Sequence, residues 1–153
     1  MRQTAVMTDE NLDLIAANIA LVTDFWAALG RRDFEAVGSF MAPDGHYVDV
    51  PVIDYDEGAF GPAETTARLT LGIAPLQGYE LHDGPIVAMG DHVITEHAET
   101  WTWDDEHSVR LPFTSVMELQ GGKVVRWWDY LDLSTLMNAA PPRWVDHIGP
   151  GYK

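Results

Sequence analysis

Residues 92–103, HVITEHAETWTW, predict a long β-strand, because their side chains alternate with the period of two that is typical of a strand. Two further alternating stretches follow at residues 108–120 and 123–131. Short turn sequences, Asp104-Asp105 and Gly121-Gly122, separate the three stretches. Strands that follow one another through short turns pair antiparallel, so this half of the chain predicts a meander with one apolar face.

The chain before this meander has helical periodicity. A first helix from Thr8, ending before Gly30, is predicted by apolar residues three and four positions apart: Leu12, Ile15, Ile19, Val22, Trp26 and Leu29. Shorter elements are also predicted, namely helices at residues 33–40, 61–71 and 134–139 and strands at residues 46–50, 77–82 and 85–89. Helices that precede a sheet indicate an α+β fold. We expect a curved, antiparallel-rich sheet wrapped around three to four helices, which makes a cone with a central apolar pocket.

The composition is that of one globular domain. The chain has 153 residues, of which 46% are hydrophobic and 22% charged. A single domain over residues 1–153 is therefore expected, with a core at about 8–140 and a C-terminal tail at 141–153. The net charge of −15 opposes binding to nucleic acid and to anionic membranes. The absence of cysteine excludes disulfides, and the N-terminus has no apolar leader, so a cytoplasmic location is expected.

Alternation also predicts which side chains share a face of each strand. Titratable and large apolar side chains share a face on three strands: His97, Glu99 and Trp101 on one, Trp127, Asp129 and Leu131 on another, and Tyr47 and Asp49 on the third. A cone would collect these faces into one apolar pocket. There the carboxyl groups lose water and repel one another, and both effects raise their pKa values. One acid can then remain protonated as a proton donor while another remains ionised as a base, as acid–base catalysis requires.

Each of these residues also has a purely structural interpretation. Asp129 can cap the following turn, and His97 and Glu99 can form a solvated stripe on an open sheet face. A metal site is not expected, because only one histidine accompanies the acidic positions. No other cofactor is expected either.

The number of residues in the turn at Gly121-Gly122 determines which face of the sheet carries Asp129. The more apolar face of residues 108–120 is formed by Leu111, Phe113, Ser115, Met117 and Leu119. A two-residue turn at Gly121-Gly122 would put Asp129 on the other face. We therefore predict one extra residue in this turn, a three-residue loop with one glycine in the left-handed region.

Four segments follow the N-terminal helix in a characteristic order: Tyr47-x-Asp49-x-Pro51, Gly61-Pro62, TEHAE at residues 95–99 and WWDYLDL at residues 127–133. This order resembles the limonene-1,2-epoxide hydrolase family, which belongs to the SnoaL-like, ketosteroid-isomerase-like cone folds, also called nuclear-transport-factor-like. The resemblance covers roughly residues 12–137.

The resemblance implies a role for five residues. In that family one Asp activates water, a Tyr helps to orient the water, and a second Asp protonates the epoxide oxygen. The corresponding residues here are Asp129, Tyr47 and Glu99. Asp49 stands where the family has Asn, and His97 stands where it has Arg. Imidazole can lose its proton near neutrality whereas guanidinium cannot, so the replacement at His97 favours other proton-transfer reactions besides epoxide opening.

These observations predict a cofactor-free acid–base enzyme that acts on a small apolar molecule of the terpenoid, steroid or polyketide class, with epoxide hydrolysis by activated water as the leading reaction. An isomerase, dehydratase or cyclase is the alternative within enzymes, and a binding protein with spectator acids is the alternative outside them. The pocket is expected to be lined by Trp101, Leu111, Phe113, Ser115, Trp127 and Leu131. The resemblance also implies a homodimer through the outer sheet face, which carries Arg126, Trp128 and Tyr130.

Overall fold

The strands form one mixed sheet in the computed structural model, which describes residues 8–152. The strands are β1 (Met41–Asp49), β2 (Ala59–Phe60), β3 (Gly78–His82), β4 (Ile86–Met89), β5 (His92–Thr102), β6 (Ser108–Gln120) and β7 (Lys123–Leu131). The helices are α1 (Asp9–Gly30), α2 (Phe34–Phe40), α3 (Gly61–Ile73), α4 (Leu133–Ala139) and α5 (Pro142–Ile148), followed by a 3₁₀ turn at Gly149–Gly151. Residues 1–7 and 153 of the predicted domain lie outside the described residues.

The strand order across the sheet is β2-β1-β7-β6-β5-β3, and β4 also pairs with β5. β1 runs parallel to β7, whereas all the other described pairs are antiparallel. The sheet is curved and does not close into a barrel. The predicted α+β fold with an antiparallel-rich sheet is therefore confirmed, although residues 8–152 contain five helices instead of three to four.

The core lies on one face of this sheet, under α1. Leu111, Met117 and Trp127 of the sheet are at most 1% exposed, and they belong to one buried cluster with Phe25 and Leu29 of α1. Complete burial of a side chain of this size contributes about 1.5–3 kcal/mol to stability. This packing holds α1 across the sheet and leaves space for a cavity beyond its C-terminal end.

α1 begins where the Thr8 hydroxyl accepts a hydrogen bond from the backbone N–H of Asn11. Gly30 is the last residue of the helix, and the chain reverses at Arg32, whose φ of 57° is in the left-handed region. By length and composition alone α1 could cross a membrane, with a mean hydropathy of 1.6 in its most apolar window. One third of that window, 33%, is buried within the fold, and core helices pass the same test.

The glycine turn between β6 and β7 differs from the prediction. Gly121 and Gly122 have φ angles of 58° and 72°, and Gln120 pairs directly with Lys123. The turn is thus a tight two-residue hairpin, and the predicted three-residue loop is wrong. Two consecutive residues in the left-handed region match the twist of the flanking strands, which is why two glycines favour the shorter turn.

The extra residue that the register needs lies within β7 itself. Leu119 pairs with Val124, but Glu118 pairs with Arg126, so that Val125 is left as a bulge. A bulge of one residue exchanges the two faces of the strand beyond it. The predicted core face of β6 therefore lies beside the predicted face of β7, but a bulge within β7 and not a longer turn produces this register.

Two further boundaries differ from the prediction. β1 begins at Met41 and not at residue 46, because Met41 already pairs with Val124 of β7 before an irregularity in the strand. The predicted C-terminal tail is folded, with Pro142 in the first turn of α5, where proline is well tolerated. Trp144 is 5% exposed, and its indole N–H donates to the Gly72 carbonyl at 2.9 Å. The tail consequently packs on α3 beside the cavity.

Candidate active site

A cavity lies between the core face of the sheet and the helices. Its walls are mainly apolar, and they include Leu29, Leu69, Ile73, Trp101, Phe113, Trp127, Leu131 and Leu136. Three carboxyl side chains, those of Asp49, Glu99 and Asp129, line the same cavity and are 3–5% exposed. The free volume is about 70 Å³, roughly half of the ~150 Å³ of an engineered cavity that holds benzene. The cavity therefore has room for a few water molecules and must widen for a ring-sized ligand.

Strand pairing brings the three carboxyl groups together from distant parts of the chain. Asp49 pairs with Asp129 across the parallel β1–β7 ladder. Ser115 of β6 lies opposite Asp129 on the other side, and Glu99 of β5 pairs with Leu111 of β6. Directly paired residues project to the same side of a sheet, so this register collects the acids on the core face.

Asp129 is held by two hydrogen-bond donors on one of its oxygens. The Trp127 indole N–H donates to Oδ1 at 2.6 Å, and the Ser115 hydroxyl donates to the same atom. Burial raises the pKa of Asp129 well above its ordinary value, and the charges of Asp49 and Glu99 raise it further against the opposing effect of the two donors. Asp129 therefore combines a fixed orientation with raised basicity.

Asp49 accepts hydrogen bonds from two phenols. The Tyr47 hydroxyl donates to Oδ1 at 3.1 Å, and the hydroxyl of Tyr152, a half-buried residue, donates to Oδ2. Burial raises the pKa of Asp49, whereas Tyr152, Arg68 and Tyr47 act in the opposite direction. Burial also raises the pKa of both phenols, and the Asp49 charge adds to it. Both tyrosines are thus neutral hydrogen-bond donors at ordinary pH.

Arg68 of α3 supplies a buried positive charge that the sequence analysis missed. It is 7% exposed, and its Nη1 lies 4.0 Å from Asp49 Oδ2. Its guanidinium carbon lies 5.6 Å from the centre of the Tyr47 ring and 4.4 Å from that of Tyr152. Because guanidinium remains charged at every relevant pH, it favours the ionised form of Asp49.

Glu99 is the third acid of the cavity, and β5 holds it beside His97. The Trp101 indole N–H donates to Glu99 Oε2 at 2.8 Å, and His97 Nε2 lies 3.5 Å from Oε1. Burial, and after it the charge of Glu99, raises the pKa of the Tyr79 phenol well above its ordinary value. Glu99 is therefore surrounded by groups that can donate hydrogen bonds.

His97 lies behind Glu99 and does not line the cavity. Its ring packs 4.4 Å from the Trp26 ring and 5.4 Å from the Phe113 ring, measured between centroids.

Among the predicted wall residues, Trp101, Phe113, Trp127 and Leu131 line the cavity. Ser115 lies behind Asp129, and Leu111 is completely buried in the core. The lining thus includes four of the six predicted pocket residues.

Several residues of this site were not predicted, and they come from helices and the C-terminal tail. Arg68 had a signal in the sequence, since Thr65, Leu69 and Gly72 repeat at helical spacing and put it on the buried face of α3. Tyr152 had none, because no periodic pattern surrounds it. The remaining unpredicted lining residues are Leu29, Val52, Leu69, Gly72, Ile73, Leu133, Leu136, Met137, Trp144 and Ile148.

The described part of the chain contains no group of three or more His, Asp or Glu residues that could hold a metal ion. His97 has one acidic neighbour, Glu99, in its ion-pair contacts.

The sequence matches the family model of the SnoaL-like domain over residues 22–127, which is more than half of the chain. The chain belongs to the SnoaL-like domain family. No curated protein matches the sequence. The resemblance to limonene-1,2-epoxide hydrolases is therefore supported at the level of the SnoaL-like fold.

Solved SnoaL-like structures have the same cone architecture. An LEH-like epoxide hydrolase from M. tuberculosis superimposes with a TM-score of 0.68 at 23% identity, over 90% of this chain and 98% of that one. A protein from Jannaschia Sp. CCS1 assigned as a SnoaL-like polyketide cyclase gives 0.72 at 19% identity, over 84% and 96%. A ketosteroid isomerase-like protein from Catenulispora acidiphila in complex with trimethylamine gives 0.70 at 21% identity, over 78% and 90%. At these identities the similarity establishes the fold alone.

Proposed function

We propose that this SnoaL-like protein is a cofactor-free hydrolase that adds water to the epoxide of a small apolar molecule of the terpenoid, steroid or polyketide class. The observation that carries the proposal is the convergence of Asp49, Glu99 and Asp129 in one apolar cavity. Carboxyl groups that lack water and repel one another titrate over a wide range of pH, so a proton donor and a proton acceptor can coexist there.

Asp129 is the base of the proposed reaction. Trp127 and Ser115 both donate to Oδ1, which leaves Oδ2 to accept a proton from a water molecule. The water oxygen forms a bond to one epoxide carbon, and the water proton moves to Asp129. Asp49 and the Tyr47 hydroxyl, which are joined by a hydrogen bond of 3.1 Å, orient that water. Arg68, whose Nη1 lies 4.0 Å from Asp49 Oδ2, favours the ionised form of Asp49 against the effect of burial.

Glu99 is the acid of the proposed reaction. The reacting form of the site is the one in which Asp129 is ionised and Glu99 holds a proton. As the epoxide carbon–oxygen bond breaks, Glu99 gives that proton to the leaving oxygen, so that the product is a diol. The Trp101 indole N–H holds Oε2, which leaves Oε1 on the side of His97. Each turnover therefore adds one proton to Asp129 and removes one from Glu99.

The test is hydrolysis of a panel of cyclic epoxides by the wild type and by Asp129→Asn. Asparagine retains an oxygen for the Trp127 and Ser115 donors but cannot accept a proton. Loss of a general base typically lowers the rate by about 100- to 10,000-fold. The matched control is Asp105→Asn at an exposed position away from the cavity, for which wild-type rates are expected. No diol from the wild type, or equal rates for Asp129→Asn and the wild type, would contradict the proposal.

An isomerase or cyclase is the second candidate, and the two phenols at Asp49 favour it. Tyr47 and Tyr152 retain their protons at ordinary pH, so either hydroxyl, by exchanging its hydrogen bond to Asp49 for one to the substrate, can donate to a carbonyl oxygen. Asp129 would then remove a proton from the carbon beside that carbonyl. The test is exchange of protons between a panel of cyclic enones and heavy water. Exchange supports this candidate if the protein also hydrolyses no epoxide. Tight binding of both panels without turnover or exchange supports a binding protein.

We also propose that two copies of the chain associate through the outer face of the sheet. Val87, Ile94, Val116 and Trp128 are successive register neighbours, which makes an apolar row across β4 to β7. Val87 is 59% exposed and Ile94 is 40% exposed. An apolar row that crosses four strands is typical of a surface covered by a second subunit.

A further inference from the structure

The side chain of Tyr152 fills part of the cavity that carries the three acids. It belongs to a short strap, residues 149–152, and it lines the cavity together with Asp49 and Arg68. Its hydroxyl donates to Asp49 Oδ2, and the Arg68 guanidinium carbon lies 4.4 Å from the centre of its ring. With this ring in place the free volume is about 70 Å³, which is too small for a ring-sized ligand. A ligand of that size therefore requires part of the wall to move.

The strap is the part of the wall that can move at the lowest cost in free energy. Residues 149–151 are exposed and form a 3₁₀ turn, with a glycine on each side of Pro150. The sheet and the long helices supply core residues to the same wall, and Leu29, Leu69 and Trp127 are 1–3% exposed. Segments that bury little surface open locally at a much lower free energy than core strands and helices. We therefore expect the strap, and not the sheet, to make room for a ligand.

The contacts of Tyr152 specify the chemistry of a ligand that replaces it. Asp49 Oδ2 is buried and loses a hydrogen-bond donor when Tyr152 leaves, so the ligand must supply a donor there. An ammonium group would be repelled by Arg68, whose Nη1 lies 4.0 Å from this oxygen, and a carboxylate would be repelled by the three acids. A neutral hydroxyl group avoids both effects. The guanidinium also favours an aromatic ring beside it.

We propose that Tyr152 occupies a subsite for a phenolic ring of the substrate, and that the substrate displaces Tyr152 and its strap when it binds. The position of the epoxide in this scheme rests on the proposed hydrolysis, whereas the phenol subsite does not. Asp49 and Asp129 are paired on neighbouring strands, which are about 4.8 Å apart, so a ligand bound by its phenol at Asp49 extends to Asp129. Asp49 Oδ1, which accepts from Tyr47, retains a lone pair for the reacting water.

The first experiment measures binding of p-cresol, which has the structure of the tyrosine side chain, to Tyr152→Ala by calorimetry. We expect p-cresol to bind at least tenfold more tightly than toluene, because a hydrogen bond to a charged acceptor contributes about that factor. The matched control is Tyr130→Ala, which removes a 40% exposed tyrosine from the outer face of the sheet. Equal affinities for p-cresol and toluene, or equal p-cresol affinities of the two variants, would overturn the proposal.

The second experiment uses the wild-type chain and does not depend on the folding of Tyr152→Ala. The protein is labelled with 3-fluorotyrosine, and the ¹⁹F NMR signal of Tyr152 is identified by its loss in Tyr152→Phe. At a p-cresol concentration about 100 times the Kd of Tyr152→Ala, we expect this signal to move to the position of solvent-exposed fluorotyrosine. The Tyr130 signal is expected to stay in place. An unchanged Tyr152 signal at this concentration would overturn the proposed displacement.

Both experiments measure binding, so their failure is distinguishable from failure of the proposed hydrolysis. Displacement of Tyr152 by p-cresol in a protein that hydrolyses no epoxide supports the subsite and contradicts the proposed function. Hydrolysis of epoxides by a protein in which p-cresol leaves the Tyr152 signal unchanged contradicts the subsite and leaves the proposed function in place.

Discussion

At the scale of single residues, the site consists of carboxyl groups whose protons are controlled by burial and by one another. Asp129 and Glu99 line the cavity, on the faces that strand alternation assigns to them. The sequence did not predict that His97 lies behind Glu99, since alternation specifies the side of the sheet and not which side chains on that side reach the cavity. Arg68 was missed because apolar periodicity predicts which face of α3 is buried and does not predict a buried charge on that face.

A stability measurement tests the burial of Asp129 without any substrate. A pKa raised in the folded state means that the protonated form is the stable buried form, so this group favours folding fully below its unfolded pKa of about 3.9. That contribution is lost as the pH rises through the raised folded pKa. Asp129→Asn imitates the neutral form at every pH, so it is expected to stabilise the protein at pH 8 and to have no effect near pH 3.

The readout is the unfolding temperature of the wild type and of Asp129→Asn at both pH values. Each 1 kcal/mol gained raises the unfolding temperature by about 2–4 °C in a chain of this size. Asp105→Asn, which changes an exposed carboxyl, is the control for net charge. A difference that is equal at pH 3 and pH 8, or that is destabilising at pH 8, would contradict the burial of an ionisable Asp129.

At the scale of elements, the C-terminal segment is the largest departure from the sequence analysis. Proline-rich and glycine-rich residues near 141–151 lack periodicity, so they were predicted to form a tail. Their structure comes from tertiary contacts, in particular the packing of Trp144 on α3 and the contact of Tyr152 with Asp49. The bulge at Val125 was misplaced for a similar reason, because the position of an extra residue depends on strand pairing and not on local sequence.

Tyr152 reduces the volume of the cavity, so its removal is expected to favour large ligands. The Tyr152 ring stacks on Arg68 at 4.4 Å and its hydroxyl binds Asp49, which fills space beside the acids. If the cavity is wide enough for a bulky cyclic epoxide in about a tenth of the wild-type molecules, Tyr152→Ala raises the affinity for this epoxide about tenfold. Tyr152→Phe retains the ring and is expected to gain less. KM values for small and bulky epoxides measure this, and weaker binding of the bulky ones by Tyr152→Ala would argue against a blocking role.

At the scale of the whole molecule, one face of the sheet encloses the site and the other presents an apolar surface. The order of elements and the alternation of β5, β6 and β7 were sufficient to predict this architecture, because a meander with one apolar face needs helices to cover it. The closing of the cone and the free volume of its cavity depend on side-chain packing, which no sequence pattern specifies.

Ile94→Glu is expected to convert the proposed dimer into monomers. The substitution introduces a charge into the middle of the outer apolar row, where a second subunit would have to bury it without a partner. Leu12→Glu is the matched control, since Leu12 is a 49% exposed apolar residue of α1 outside the sheet face. Light scattering at micromolar concentration measures the mass. A monomeric wild type, or a dimer that persists in Ile94→Glu, would contradict association through this face.

A single turnover in ¹⁸O-labelled water, with the enzyme in excess over a cyclic epoxide, tests whether Asp129 activates water inside the apolar cavity. We expect one labelled oxygen in the diol and none in the Asp129 carboxyl, because water attacks the epoxide directly, and we expect diol formation to cease in Asp129→Asn. Unlabelled diol with label in the carboxyl afterwards, or a labelled diol formed equally fast by Asp129→Asn, would contradict the claim.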